Sequence, residues 1–155
     1  MNTNSSQTQT EKSSEQLAIS KLYHQALMQH HKKPTGFNVD ISGANVNSAN
    51  GENPECGDEI TISARIERGV INDIVFSGYS CAICRASASM MCETLVTLTA
   101  EQALGTISDV HYSFKVQKLF EQELSPLNSV FSLPIRQQCA LLPWRTAQQV
   151  LEASK

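Results

Sequence analysis

The chain has 155 residues, of which 41% are hydrophobic, enough for one lean core of ordinary domain size. Twelve Lys and Arg against fifteen Asp and Glu leave a net charge of −3, which argues against a dedicated nucleic-acid binder. No run of about 18 apolar residues is present, so no membrane span is expected, and Met1 to Glu15 lacks the apolar stretch of a secretory signal. Five cysteines without an export signal point to thiol or metal chemistry in a reducing, cytoplasmic setting. The odd count weakens a disulfide framework further.

Residues 1–14 are Ser, Thr, Asn, Gln and a few charges, and are expected to form a disordered tail ahead of a domain spanning 15–155. From Glu15 to Lys33, Leu17, Ile19, Leu22, Tyr23, Ala26 and Leu27 recur at helical spacing, with Ser13 or Ser14 as cap and Pro34 and Gly36 as stop. Phe37 to Val46 suggests a strand, and Gly43 to Glu55, rich in Asn, Gly and Ser, a loop. Ile60, Ile62, Ala64 and Ile66 alternate with polar neighbours, which predicts a strand over Glu59–Glu67. Arg68-Gly69 is a turn, and Val70–Ser77 the returning strand, ended by Gly78. A helix is expected over Cys81–Leu98, one or two more over Thr99–Glu123, and a last one over Cys139–Ala153 beyond Pro126 and Pro134. No internal repeat is visible. The order fits an α+β fold, a three-stranded antiparallel sheet with packed helices.

Cys56, Asp58, Cys81 and Cys139 are the candidate chemical residues. In an extended segment, residues i and i+2 point to one side, so Cys56 and Asp58 can face one ion, with Gly57 letting the backbone bend between them. Cys81 opens a helix, where the dipole favours the thiolate. Cys139 is expected at the start of the last helix, in a similar position. Three thiolates and a carboxylate suit tetrahedral zinc, and thiolates also hold iron–sulfur clusters. The competing reading is that these are buried cysteines acting as small hydrophobes.

Cys81 and Cys84 form a C-x-x-C, whose members share a helix face, so Cys84 can reach the same ion or pair with Cys81. A thioredoxin-like redox site is one alternative, although an antiparallel hairpin rather than a βαβ unit precedes the motif. A zinc deaminase is disfavoured, because none of the four histidines has Glu two residues later. Cys92, eight residues beyond Cys84, reads as an ordinary helix cysteine. His24, His30, His31 and His111 read as solvated or helix-surface residues. Arg136 is either a surface arginine or a charge that holds a nearby thiolate. Pro143 and Trp144 are expected to pack the last helix onto the core, and Met90 and Met91 to lie in it.

Three stretches together resemble the IscU/NifU N-terminal family, most of all its SufU branch. They are Asn53-Pro54-Glu55-Cys56-Gly57-Asp58, the run Cys81-Ala82-Ile83-Cys84-Arg85-Ala86-Ser87-Ala88-Ser89-Met90-Met91, and the run from Pro134 through Gln137-Gln138-Cys139 to Pro143-Trp144. Leu22-Tyr23, Met28, His30 and Pro34 match the branch's first helix, and the resemblance runs in order over roughly residues 17 to 150. Scaffolds of the IscU type carry His immediately before the last cysteine, where this chain has Gln138. The long segment Thr99–Ser132 also fits the SufU branch.

The resemblance implies a zinc site of Cys56, Asp58, Cys81 and Cys139. It also implies a pyridoxal-phosphate cysteine desulfurase of the SufS type as partner, with Cys56 accepting persulfide sulfur once docking displaces it from the metal. The alternative it implies is a scaffold. There Cys56, Cys81 and Cys139, with Cys84 as a further thiol, hold iron in a transient [2Fe–2S] cluster that passes to apo iron–sulfur proteins or a downstream scaffold. Either way the implied role is sulfur relay or scaffolding rather than a stand-alone enzyme, without nucleic acid or membrane. Cys84 and Arg85 depart from the branch, which usually has a small polar and an apolar residue there, and Cys92 is extra.

Overall fold

The computed structural model describes residues 3–154, with side chains from Ser14 onward. The first helix, α1, spans Thr3–Lys32. The expected disordered tail falls on residues 1–14, whose side chains before Ser14 lie outside the described residues, as do residues 1 and 2 entirely; the backbone is helical from Thr3. From Ser14 to Leu22 every side chain is exposed, and the helix is first anchored at Leu27, which is wholly buried.

Three strands follow as one antiparallel sheet in the order β1-β2-β3: β1 Val46–Asn53, β2 Asp58–Glu67 and β3 Val70–Tyr79. The hairpin of β2 and β3 turns at Arg68 and Gly69, both left-handed, and buries Ile60, Ile62, Ala64, Ile71, Ile74 and Phe76. Gly78 lies inside β3 rather than ending it; a Cβ there would strike the carbonyl of Glu59 on β2.

The third strand is not where the sequence suggested. Phe37 makes one isolated parallel bridge with Phe76, after which left-handed Asn38 and Asn45 bend the chain away from a strand path. The polar stretch expected to be a loop supplies β1 instead. As an edge strand it needs little apolar content, because its exposed face is solvated while the other lies on the last helix. Gly51 makes that approach possible: a Cβ there would collide with Thr146 Oγ1 and press on Leu142. Gly51→Ala should therefore cost about 1–3 kcal/mol, read as a lowered urea midpoint.

Helix α2 spans Ala82–Leu95 and α3 Ala100–Val116, the latter opened by a capping box of Thr99 and Gln102. A 3₁₀ segment follows over Gln122–Ser132, where Pro126 would interrupt an α-helix. The last helix, α4, spans Pro134–Ala153 and begins earlier than expected, because Pro134 takes the first helical position. Trp144, Met90 and Met91 are in the core, and Pro143 is buried beside them.

The four histidines are less uniform than expected. His24 is exposed, but His30 Nδ1 lies 2.8 Å from the Ser89 hydroxyl and ties α1 to α2. His111, on α3, has its Nε2 buried without a hydrogen-bond partner. Burial first, and the Arg145 charge second, hold its pKa below the ordinary 6.5. The unfolded chain therefore takes up that proton more readily, so the His111 contribution to stability is complete above about pH 6.5 and falls as pH drops below it. His111→Gln should flatten the fall in urea midpoint on acidification from neutral pH.

Candidate metal centre

The sheet and helices bring four chain segments to one end of the fold. Cys56 sits in the turn between β1 and β2, where its N–H donates to the Asn53 carbonyl at 3.1 Å. Gly57 follows with φ +71°. Nothing lies within 4 Å of where its Cβ would stand, so the glycine serves backbone conformation and not space. Asp58 opens β2 and is 2% exposed. Its Oδ1 accepts the N–H of Cys81 at 2.7 Å, and its Oδ2 faces the Cys81 thiol at 3.8 Å. Cys81 is the N-cap of α2, as the sequence suggested, and its sulfur accepts the N–H of Cys84 at 3.4 Å.

Cys139 completes the group, but not from a helix start. It lies in the second turn of α4, fully buried, with its sulfur 2.9 Å from that of Cys56. The positive helix end is therefore not what acts on it. Burial pushes its thiol well above the ordinary range, and its bonds with Cys56 and Asp58 add to the rise. Pro143, four residues on, has no N–H to give to the Cys139 carbonyl.

Donor atoms of Cys56, Asp58 and Cys139 all lie within 4.8 Å of one another. Cys81 is attached to this trio through Asp58. Among the described residues, no histidine belongs to the group. Arg136, exposed one turn before Cys139 on α4, is a neighbouring cation: the Cys139 side chain first, then Cys81, raises its guanidinium above the ordinary value. Gln138 accepts a hydrogen bond from Arg145. Two or three sulfurs and a buried carboxylate crowded together suit a thiophilic divalent cation, whose charge would relieve the mutual repulsion of the ionised donors.

Cys84 is buried beneath Cys81 and outside the trio. Burial, then the charges of Asp58 and Cys81, pushes its thiol up, while the Ser80 hydroxyl acts the other way. Cys92 lies elsewhere, packed against Gly36, its thiol pushed up to about 12 by burial and then by Glu93. One participant had no assigned role in the sequence: Asn53 Nδ2 donates to the Cys139 sulfur at 3.6 Å. Asn53 is the register partner of Asp58, a pairing that becomes visible only once β1 is recognised as a strand.

A small sheet-and-helix domain that gathers thiols and one carboxylate at a hairpin end defines a recognisable class. The sequence matches the NifU-like N-terminal domain over residues 22–124, and the chain belongs to that family. It is 32% identical over 148 residues to an iron–sulfur cluster assembly scaffold protein IscU of Streptococcus pyogenes, covering 89% of each chain. It is 30% identical over 133 residues to the zinc-dependent sulfurtransferase SufU of Bacillus subtilis, covering 83% of this chain and 88% of that one. Among solved structures, a candidate SUF-system scaffold, SufU of Fervidobacterium islandicum, superposes with a TM-score of 0.66 at 30% identity, over 81% of this chain and 93% of that one. The N-terminal part of a NifU-like protein from Brucella abortus shares the fold, with a TM-score of 0.76 at 16% identity over 86% and 94% of the two chains.

Proposed function

We propose that this protein relays sulfur for iron–sulfur cluster assembly, with Cys56 accepting persulfide sulfur from a SufS-type cysteine desulfurase. The observation that carries the reading is the Cys56 sulfur, on a half-exposed turn, 2.9 Å from the Cys139 sulfur and beside buried Asp58. The likeness to a zinc-dependent sulfurtransferase over most of the chain supports it. Cys56, Asp58, Cys81 and Cys139 would hold zinc, which supplies the charge that keeps thiols ionised at neutral pH.

The transfer itself needs one nucleophile. The Cys56 thiolate attacks the terminal sulfur of the desulfurase persulfide; that S–S bond breaks, a new one forms on Cys56, and the desulfurase cysteine leaves as a thiolate. Gly57 gives the turn the freedom to present Cys56, while Asn53 and Asp58 stay fixed by the register of the hairpin. Thiols persist in a reducing cytoplasm, which is the compartment this chemistry requires. Among the described residues, no helix is long and apolar enough to cross a membrane.

A second reading, a scaffold holding a transient [2Fe–2S] cluster on Cys56, Cys81 and Cys139 for transfer to apo proteins, is favoured by a fourth thiol lying close by at Cys84 and by the likeness to a scaffold protein. Metal analysis and an absorption spectrum on one anaerobic preparation separate the two. The relay predicts about one zinc per chain and no visible bands. Iron with matching acid-labile sulfide and visible bands would replace the relay with the scaffold.

A further inference from the structure

The relay as described leaves Cys84 without work. It also leaves a chemical debt, because persulfide sulfur is sulfane sulfur and must gain two electrons to become sulfide. We propose that Cys81 and Cys84 form a reductive pair that releases hydrogen sulfide from a persulfide carried on Cys81, closing a Cys81–Cys84 disulfide. The delivery of that sulfur through Cys56 rests on the relay reading above; the release step does not.

The geometry of the two thiols carries the inference. Cys81 is the N-cap of α2, in an extended conformation, and Cys84 stands three residues on, within the first turn. The Cys81 sulfur already accepts the N–H of Cys84 at 3.4 Å, so it lies over the turn that holds the second thiol. Residues at this helical spacing have Cβ atoms about 5–6 Å apart, and a disulfide brings them to about 3.5–4.5 Å. The closure falls on Cys81, whose extended cap backbone enters the helical ladder only through its carbonyl, which accepts the N–H of Arg85 at 3.0 Å. The two thiols differ in access: Cys81 is half-buried, while Cys84 is wholly buried. A reachable thiol at the helix end and a shielded one beneath it are the arrangement in which the first takes up sulfur and the second resolves it. Cys84 is not a donor of the metal group, but Cys81 stands at its edge, joined to the trio only through Asp58, and it must leave the metal before it takes up sulfur.

The steps balance. Sulfur passes from Cys56 when the Cys81 thiolate attacks the terminal sulfur of the Cys56 persulfide; the old S–S bond breaks and Cys56 leaves as a thiolate. The Cys84 sulfur then attacks the Cys81 sulfur as its proton passes to the departing sulfane sulfur. The Cys81–sulfane bond breaks, the Cys81–Cys84 bond forms, and the sulfane sulfur departs as hydrogen sulfide with the Cys84 proton. Two thiol sulfurs are oxidised and one sulfane sulfur is reduced by two electrons. A dithiol reductant of the thioredoxin class returns the disulfide to thiols by exchange.

The test uses the full chain as purified, mixed with equimolar glutathione persulfide and no desulfurase. Sulfide is measured colorimetrically, and disulfides are mapped by peptide mass spectrometry. The wild type should release sulfide and yield a Cys81–Cys84 disulfide. Cys84→Ser should lose sulfide release while keeping a bound persulfide, and Cys84→Ala, checked for folding by circular dichroism, should behave alike. Undiminished sulfide release from folded Cys84 variants, or a wild type that yields no Cys81–Cys84 disulfide, overturns the proposal. Because the persulfide is added directly, a chain that fails to respond to a desulfurase but still releases sulfide here would sink the relay reading alone.

Discussion

Replacing Cys56 by alanine should abolish the stimulation of a SufS-type desulfurase while leaving the fold in place. The two halves of that expectation come from different physics. The turn is held by backbone groups, the Cys56 N–H on the Asn53 carbonyl and the left-handed Gly57, neither of which the substitution touches. The side chain is half-buried, so the loss of stability should stay within about 1 kcal/mol. The nucleophile, by contrast, has no substitute in that position. Cys139 is fully buried, so it is poorly placed to attack a partner's persulfide. Loss of an attacking group of this kind costs about 10³-fold or more. The assay is alanine production from cysteine by the desulfurase, with a thermal melt on the same sample. Retained stimulation in a folded Cys56→Ala protein would end the sulfur-acceptor reading. Cys92→Ala is the matched control: it removes a sulfur from the core near Gly36, lowers the melting temperature and leaves the stimulation unchanged.

Much of the scaffold behind this site is legible in the sequence, and what was not legible has identifiable causes. The β2–β3 hairpin announces itself because one face is buried and the other wet, which writes a period of two into Ile60, Ile62 and Ala64. The helix start at Cys81 is marked by Gly78 and the small-residue run after it. Strand β1 carries no such pattern. Its partners are β2 on one side and α4 above it, so its pairing is decided by Thr146 and Leu142, about a hundred residues away in sequence, meeting a glycine. Helix α4 was misplaced at its start because Pro134 reads equally as a stop and as a first helical residue. That misplacement put Cys139 at a helix start rather than in a buried second turn, so burial and not the helix end acts on its thiol. Spacing could nominate Cys56, Asp58, Cys81 and Cys139. It could not show that three of them form a tight trio with Cys81 attached through Asp58, because that depends on how α2 and α4 sit on the sheet.

Trp144 is the largest buried side chain among the described residues and lies between α4 and α2, which makes Trp144→Ala the substitution with the largest expected cost in stability. Trp144 is wholly buried on α4, and its indole N–H donates to the Ser87 hydroxyl of α2 at 2.9 Å. That hydroxyl in turn donates to the Ala140 carbonyl at 2.6 Å, closing a polar link between the helices inside an apolar core. Truncation to alanine removes the largest buried side chain and leaves a cavity, a loss of about 3–5 kcal/mol. Against a total stability of about 5–15 kcal/mol, that brings the chain close to unfolding. Trp144→Phe keeps most of the volume and gives up mainly the indole hydrogen bond, so it should cost about 1–3 kcal/mol. Ser87→Ala strands the buried indole N–H, while the Ala140 carbonyl keeps its place in the α4 ladder, and should cost about 1–3 kcal/mol. The same seam sets the distance between Cys81, at the start of α2, and Cys139, one turn before Trp144 on α4. A metal ligated from both helices would therefore act as a clamp across it, stabilising the folded chain by mass action. Urea melts with zinc and with a chelator should show the Trp144→Ala protein folded only in zinc, and the Trp144→Phe protein folded in both. A Trp144→Ala chain equally stable in zinc and chelator would show that the seam and the thiol cluster are not energetically linked.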